Sequence, residues 1–409
     1  MSDVNPFKIT VYNKLLVRKA IISTPLSLRA IPRFNLKPTA EFGLALSHPA
    51  LTHLMEAGSR VVIEYNGTSL SGPIIARSIQ GPTISGFATF MVEGDFRILH
   101  ETLGWPVPGS AITNQGGAER HVVTGPAETV VKQLFTANAI NRLGNAYAVA
   151  TDQGRGDIIT VELRFESLHE KLFPAVEDAG IGVSIQQVGS QIVLDCYEPS
   201  TYAPILSEES GIVQDWSWTN SAPKATDVVV GGRDEAKLRE FRQFSDSAAA
   251  DLWGFRSEAF TDARDVGSEL NEWYGDMKTA QGQTPPDTAA IAALNASYAG
   301  IRSAYESLIA KRGAESLADN AEKTGIRMVL SETDSFRYGD SVNVGDKVSM
   351  KVGPGLTLTD TLREAELTWT FEDGVKATPS VGEITDNPDR AFAKALRNSA
   401  TRIRKIEVK

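Results

Sequence analysis

Between Asp246 and Lys323 the chain turns almost wholly to helical spacing, while the segments on either side read as a few short strands each. Strand groups that small cannot bury a face alone. The two groups can therefore only complete one sheet, and the helical stretch, residues 246–325, is an insertion between two halves of one β unit. The first half covers residues 206–245. Trp216-Ser217-Trp218 puts two aromatics on one side of a strand, Asn220 to Lys224 supplies a turn containing Pro223, and Val228-Val229-Val230 is a short β-branched strand. Gly231-Gly232 ends it by permitting backbone angles closed to β-branched residues, and a charged run follows from Arg233 to Arg242. The second half, residues 326–382, offers Ile326 to Leu330, Val342 to Val352 and Ala365 to Phe371, the last with Leu367, Trp369 and Phe371 on one side. Inside the insertion Ile291, Leu294, Tyr298, Ile301, Tyr305 and Leu308 alternate three and four apart. Packing against the preceding helix at Leu270, Trp273 and Tyr274 accounts for that spacing more simply than a seam between subunits.

Residues 1–120 read as an N-terminal β-barrel. Phe7 to Val11 alternates, Lys19 to Ile31 continues in strand-like residues, and Arg60 to Tyr65 meets Thr68 to Ile75 across Asn66-Gly67, the strongest hairpin signal in the chain. Phe87 to Val92 and Asp95 to Leu99 complete the set, and Ser47 is positioned to cap a short helix ending near Glu56. Glycine and serine density up to Gly117 suggests a linker or exposed loop. A small α/β domain is expected over 121–205. In it Pro126 fits the first turn of a helix with Val130, Val131, Leu134 and Phe135 buried, and Ser167 caps a second helix. Ile181 to Ile185 and Ile192 to Cys196 then form a hairpin. Residues 383–409 form a basic C-terminal helix or arm, with Phe392, Leu396 and Ile403 on one face among seven Lys or Arg from Arg390 onward. The expected fold class is α+β, mostly β: two small β-barrels with an α/β unit and a helical insertion.

Chemistry is sparse. The five histidines never fall at a metal-binding helical spacing with a carboxylate, and neither a nucleophile elbow nor a phosphate loop is spelled. Glu258, Asp262 and Asp265 could be paired glycosidase carboxylates, but Arg256 and Arg264 interleave with them, which favours ion pairing on a helix end. Arg155-Gly156-Asp157 reads as a loop. The single cysteine, Cys196, lies in an apolar run and excludes an intramolecular disulfide framework. The formal charge of −10 argues against a broad nucleic-acid or membrane surface. No segment reads as a secretory signal or a membrane span, so a soluble protein of a reducing cytoplasm is expected. No catalytic, cofactor-binding or metal-binding residue is assigned, and no cofactor is expected.

Several stretches resemble one family. These are a strand ending in Asp215-Trp216, the Val229-Val230-Gly231-Gly232 pair of doublets after a proline-bearing turn, and Glu258 to Asp265 (E-x-F-x-D-A-R-D). Arg33-Phe34-Asn35, Leu103-Gly104 before Pro106, and the Gly345-Asp346 turn add to them. Together they are similar to the minor tail proteins of long-tailed actinobacteriophages, the tail-tip or baseplate hub family. That resemblance implies a structural, non-enzymatic hub: a homotrimer whose six barrels join the sixfold tail tube to the threefold tip around the DNA passage. It implies other tail proteins as partners (the distal tail protein, the tape measure, and tip or receptor-binding proteins), with no specific nucleic-acid binding. The location implied is the virion tail tip, after assembly in the host bacterial cytoplasm. A tail-associated cell-wall hydrolase and a carbohydrate-binding receptor-recognition protein are the alternatives.

Overall fold

In the computed structural model, which describes residues 6–82, 84–234, 239–264, 266–351 and 356–382, Asn66 and Gly67 both take positive φ, +42° and +78°. A two-residue type I′ turn needs that backbone, and its twist matches the strands that it joins. The strands of this region are β1 (Lys8–Tyr12), β2 (Arg18–Ile22), β3 (Ser27–Ile31), β4 (Thr39–Ala45), β5 (Arg60–Tyr65), β6 (Thr68–Gln80) and β7 (Phe87–Glu93), with α1 (Leu51–Met55) between β4 and β5. Alternate residues face inward: Ala40, Phe42 and Leu44 oppose Val92, Phe90 and Ala88, and the paired rings of Phe42 and Phe90 stack 5.2 Å apart. The expected cap at Ser47 is not made. α1 starts after Ala50, whose N–H donates to His48 Nδ1.

The α/β segment follows through α2 (Arg97–Glu101), β8 (His121–Pro126), α3 (Ala127–Phe135), β9 (Tyr147–Val149), β10 (Ile158–Leu163), α4 (Leu168–Asp178), β11 (Gly182–Val188) and β12 (Gln191–Tyr197). β8 pairs with β10, and β11-β12-β9 form a second small sheet. Thr124-Gly125-Pro126 end β8 rather than open the helix, because they are hydrogen-bonded to Ile158–Thr160. α3 buries Val130, Val131, Leu134 and Phe135 as the spacing predicts, and Ser167 caps α4 by accepting the Glu170 N–H at 3.1 Å. Cys196 is buried in the same core, and burial pushes its thiol up to about 12, so it is inert.

Two buried polar links fix this segment to the first sheet. Asn35, 1% exposed, accepts the Val183 N–H through Oδ1 at 2.8 Å and donates from Nδ2 to Ile181 O at 3.1 Å, standing in for a strand partner at the head of β11. Asp95 accepts from Arg60 at 2.5 Å and Ser71 at 2.6 Å, and Ser71 in turn accepts the Gln187 N–H. Beside them His100 on α2 and His169 on α4 stack 3.7 Å apart against Phe96 and Phe173. Burial lowers both imidazoles, His100 to about 4.

The chain divides into two compact units, one built from residues before Trp218 and after Gly325, the other Trp218–Gly325. After β13 (Val213–Ser221), the second unit holds β14 (Asp227–Gly231), β15 (Phe241–Ser245), α5 (Ser247–Trp253), β16 (Glu258–Asp262), α6 (Ser268–Gly282) and α7 (Thr288–Asn320). Here the structure corrects the reading of residues 206–245 and 246–325. β14 does not pair with β13. It is the central strand of a separate sheet, antiparallel to β15 and parallel to β16. Glu258–Asp262, expected on a helix, is the strand β16, because Glu-Ala-Phe-Thr-Asp alternates with period two and its edge beside β14 is hydrogen-bonded. The three-and-four spacing of α7 packs within the subunit: Trp273 of α6 lies 4.6 Å from the Tyr298 ring and donates to Leu294 O, while Tyr305 and Ile309 sit under β14.

The returning strands are β17 (Lys323–Leu330), β18 (Lys347–Lys351), β19 (Thr357–Thr370) and β20 (Gly374–Val381). β19 pairs with β20, β18 and β3, giving one path β13-β17-β20-β19-β3-β4-β7-β6-β5-β1-β2. Thus the two strand groups read as separate barrels are hydrogen-bonded to each other through β3 and β19. A bulge between Leu362 and Glu364 changes the parity of β19. Before it, Leu362 is buried with Met328, Phe336 and Met350; after it, Ala365, Leu367 and Trp369 are buried with Phe42 and Phe90. Phe371, expected on one side with Leu367 and Trp369, follows the last residue of the strand; its ring meets that of Trp369 edge-on at 6.4 Å but is 89% exposed. The basic segment 383–409 lies outside the described residues.

Trp369→Ala is expected to cost about 3–5 kcal/mol in urea unfolding, whereas Phe371→Ala should stay within about 0.5 kcal/mol. For the histidine pair the depressed values mean that the unfolded chain binds protons first, near pH 6.5. The stability that His100 contributes is complete above that pH and is lost as pH falls toward about 4. Between pH 7 and 5 the protein should lose about 1–2 kcal/mol that His100→Gln does not lose, a figure discounted for partial exposure.

Candidate interaction surface

The three-stranded sheet of the Trp218–Gly325 unit brings together two of the motifs that the sequence singles out. Val229-Val230-Gly231 runs up the centre, and Glu258 to Asp262 lies beside it in register, with Val229 opposite Phe260 and Gly231 opposite Asp262. One face is covered by α7: Val228 and Val230 pack with Ala263, Leu270, Tyr305 and Ile309. On the other face Phe241 is 51% and Phe260 57% exposed. Between these rings lies the Arg239 guanidinium, 5.7 Å from the Phe241 centroid and 5.3 Å from that of Phe260. It donates to Gly231 O at 2.8 Å and to Asp262 at 2.7 Å.

The glycine pair makes this possible. A Cβ at Gly231 would meet the Arg239 guanidinium and the Phe260 ring, and one at Gly232 would meet the Tyr305 hydroxyl and Ile309. With Gly232 bare, Tyr305 reaches the backbone and accepts the Arg233 N–H at 3.2 Å. The charged run beyond the pair is drawn into a lattice on the helix side. Glu240 accepts from Arg302 and Arg233, and Glu306 accepts from Arg242 and Arg302, all within 3.1 Å. Arg233 also lies 4.2 Å over the Tyr274 ring.

These partners decide what the carboxylates can do. Hydrogen bonds from Arg302 and Arg242 hold Glu240 and Glu306, respectively, below the usual carboxylate range, and Arg264 does the same for Asp262. Asp227 is buried and accepts from Arg256, Ser245 and Thr226, which hold it lower still. A general acid needs its proton near neutral pH, and these groups have given theirs up. The glycosidase pairing considered for Glu258, Asp262 and Asp265 is not formed by the first two: Asp262 is ion-paired to Arg239 and Arg264, and Asp265 lies outside the described residues. Asp346, which burial raises, organises the Gly345-Asp346 turn by accepting the N–H groups of Asn343 and Ser200. Among the described residues no group of three or more His, Cys, Asp or Glu is placed to hold a metal ion, and no helix is long and apolar enough to cross a membrane. The Phe241, Arg239 and Phe260 side chains form an exposed aromatic and cationic surface. The sequence shows Arg239 and Phe241 only as members of a charged run, because nothing local indicates that Arg239 lies against Gly231.

The sequence pattern of the Siphovirus ReqiPepy6 Gp37-like protein family matches residues 8–383. The chain belongs to that family. Comparison with the curated proteins finds no match. Among solved structures, the fold is similar to that of the 43 kDa tail protein of prophage MuSo2 from Shewanella oneidensis, with a TM-score of 0.51 and 11% identity over 91% of this chain and 98% of that one. Prophage tail protein gp18 from Listeria monocytogenes EGD-e gives 0.51 and 10% over 95% and 98%. At such identities the likeness is one of fold. The α+β, mostly β architecture is that of phage tail proteins, and family and fold together support a structural protein of the tail.

Gly232→Val should destabilise the Trp218–Gly325 unit by about 2–4 kcal/mol, through the Tyr305 hydroxyl. The double variant Phe241→Ser, Phe260→Ser should leave the thermal midpoint within about 2 °C, since both rings are more than half exposed. Calorimetry of the two variants checks both expectations.

Proposed function

We propose that this protein is the tail-tip hub of a siphophage: a homotrimer that joins the sixfold tail tube to the threefold tip and surrounds the DNA passage. Its partners are further copies of itself and other tail proteins, namely the distal tail protein, the tape measure, and tip or receptor-binding proteins. It works by binding alone, without enzymatic chemistry or a cofactor, in the virion after assembly in the host bacterial cytoplasm. The observation that carries this reading is the family match over residues 8–383. Charge supports it. The segment Asp246–Lys323 holds thirteen acidic and seven basic residues in a chain of net charge −10, and a passage walled by like charge would not retain DNA phosphates.

Light scattering of the purified protein is expected to give three times 44.2 kDa, and gold-labelled antibody should mark the end of the virion tail distal to the capsid. Label along the tail shaft, or a protein that stays monomeric at micromolar concentration, would sink the hub reading. Duplex DNA should not bind in a salt-sensitive manner, and submicromolar affinity at physiological salt would count against a free passage.

A further inference from the structure

Within the α/β segment one arginine, Arg142, finds no carboxylate partner among the described residues. α3 does not end at Phe135 but runs on as a π-helical turn over Thr136–Arg142, a distortion that recurs at functional sites. The turn carries Ala137, Asn141 and Arg142 into the wall of an open cleft of about 560 Å³. Arg142 lies 4.6 Å over the Trp105 ring and donates from Nη2 to Leu103 O at 3.0 Å, while its Nε is buried without a partner. No carboxylate among the described residues pairs with it, and burial alone lowers its pKa. No carboxylate among the described residues lines the cleft either, and His121 adds a second buried nitrogen, its ring Nδ1, that has no partner among them. A half-buried guanidinium with so few acceptors is costly to keep unless something completes it.

The opposite wall is preorganised. The loop after Trp105, read from sequence as a linker or exposed loop, is braced by the Gln115 amide, which accepts the Val107 N–H and donates to the carbonyls of Val107, Ser110 and Ala111. Trp105 is held by its backbone N–H, which donates to Oδ1 of the buried Asn138 at 3.0 Å. Ile112, 59% exposed, stands on the rim. The geometry points to a binding site for a carboxylate on a short aliphatic stem: the acidic side chain, glutamate-like, of a neighbouring protein chain. Arg142 supplies the charge and the Nη hydrogens that Leu103 O leaves free, and Trp105, Pro108, Ile112 and Ala137 receive the methylenes.

The carboxylate class rests on the cleft alone; the neighbouring chain as its source rests on the tail-assembly reading. The test separates them. The isotope-labelled full chain is titrated with glutarate, following the Trp105 indole N–H signal, with neutral glutaramide and inorganic phosphate in parallel. Glutarate should give a saturable shift and glutaramide none, and Arg142→Gln should bind glutarate at least about ten-fold more weakly. Ile112→Glu, an exposed position safe for folding, places an internal carboxylate on the rim and should weaken glutarate similarly. An equal response to glutaramide, tighter binding of phosphate, or full affinity in both variants overturns the carboxylate site. In infected cells Arg142→Glu should lower the yield of tailed particles, and a wild-type yield overturns the neighbouring-chain source while leaving the titration result standing.

Discussion

The structure of the larger unit depends on a single irregularity, the bulge between Leu362 and Glu364 in β19. A regular strand presents alternate residues to one side throughout its length, so it can serve one core. Inserting a residue flips the parity. Leu362 then faces the core made with Met328 and Met350, while Ala365, Leu367 and Trp369 face the one made with Phe42 and Phe90. One strand of fourteen residues therefore closes two cores, and the N-terminal and C-terminal parts of the chain cannot fold as unrelated pieces.

The Arg33-Phe34-Asn35 stretch sits at this irregularity. Arg33 bridges Glu364 and pairs with its carboxylate at 3.1 Å, the Phe34 N–H donates to Arg363 O, and Arg363 lies 5.6 Å over the Phe34 ring. Asn35 then reaches to β11, and Arg363 reaches to Glu177 on α4 at 2.7 Å. Three adjacent residues thus tie the bulge to the α/β segment by backbone-replacing hydrogen bonds and a stacked cation. These links are buried or half-buried and fully partnered, the condition under which polar groups in an interior hold one arrangement instead of weakening it.

The smaller unit solves a different problem, that of a three-stranded sheet whose one face, among the described residues, is covered by helix. Its covered face is sealed by Tyr305 and Ile309, and the ions next to it are neutralised in an alternating lattice of Arg233, Glu240, Arg302, Glu306 and Arg242. Its open face keeps Phe241 and Phe260 in water, with Arg239 laid between them. Exposed aromatic rings are costly in water, and the guanidinium laid between them covers part of their faces.

Sequence by itself determined what is local. Asn66-Gly67 needs only its own φ values to make a turn, Ser167 needs only the N–H three residues on, and the α3 stripe and the β11–β12 hairpin follow from spacing within a few residues. It also showed the motifs, without their neighbours: the Val-Val-Gly-Gly strand and the Glu-x-Phe-x-Asp segment were legible, but not as adjacent strands of one sheet. Tertiary structure alone decided the rest. Alternation tells which face of a strand is buried but not which strand lies beside it, because every backbone offers the same N–H and C=O. Hence β14 takes β15 and β16 instead of β13, and β19 reaches β3 across more than three hundred residues. The same holds for charge. Arg239 and Arg142 look like any other arginine until the fold gives the first an aspartate and two rings, and the second a tryptophan and no carboxylate partner among the described residues.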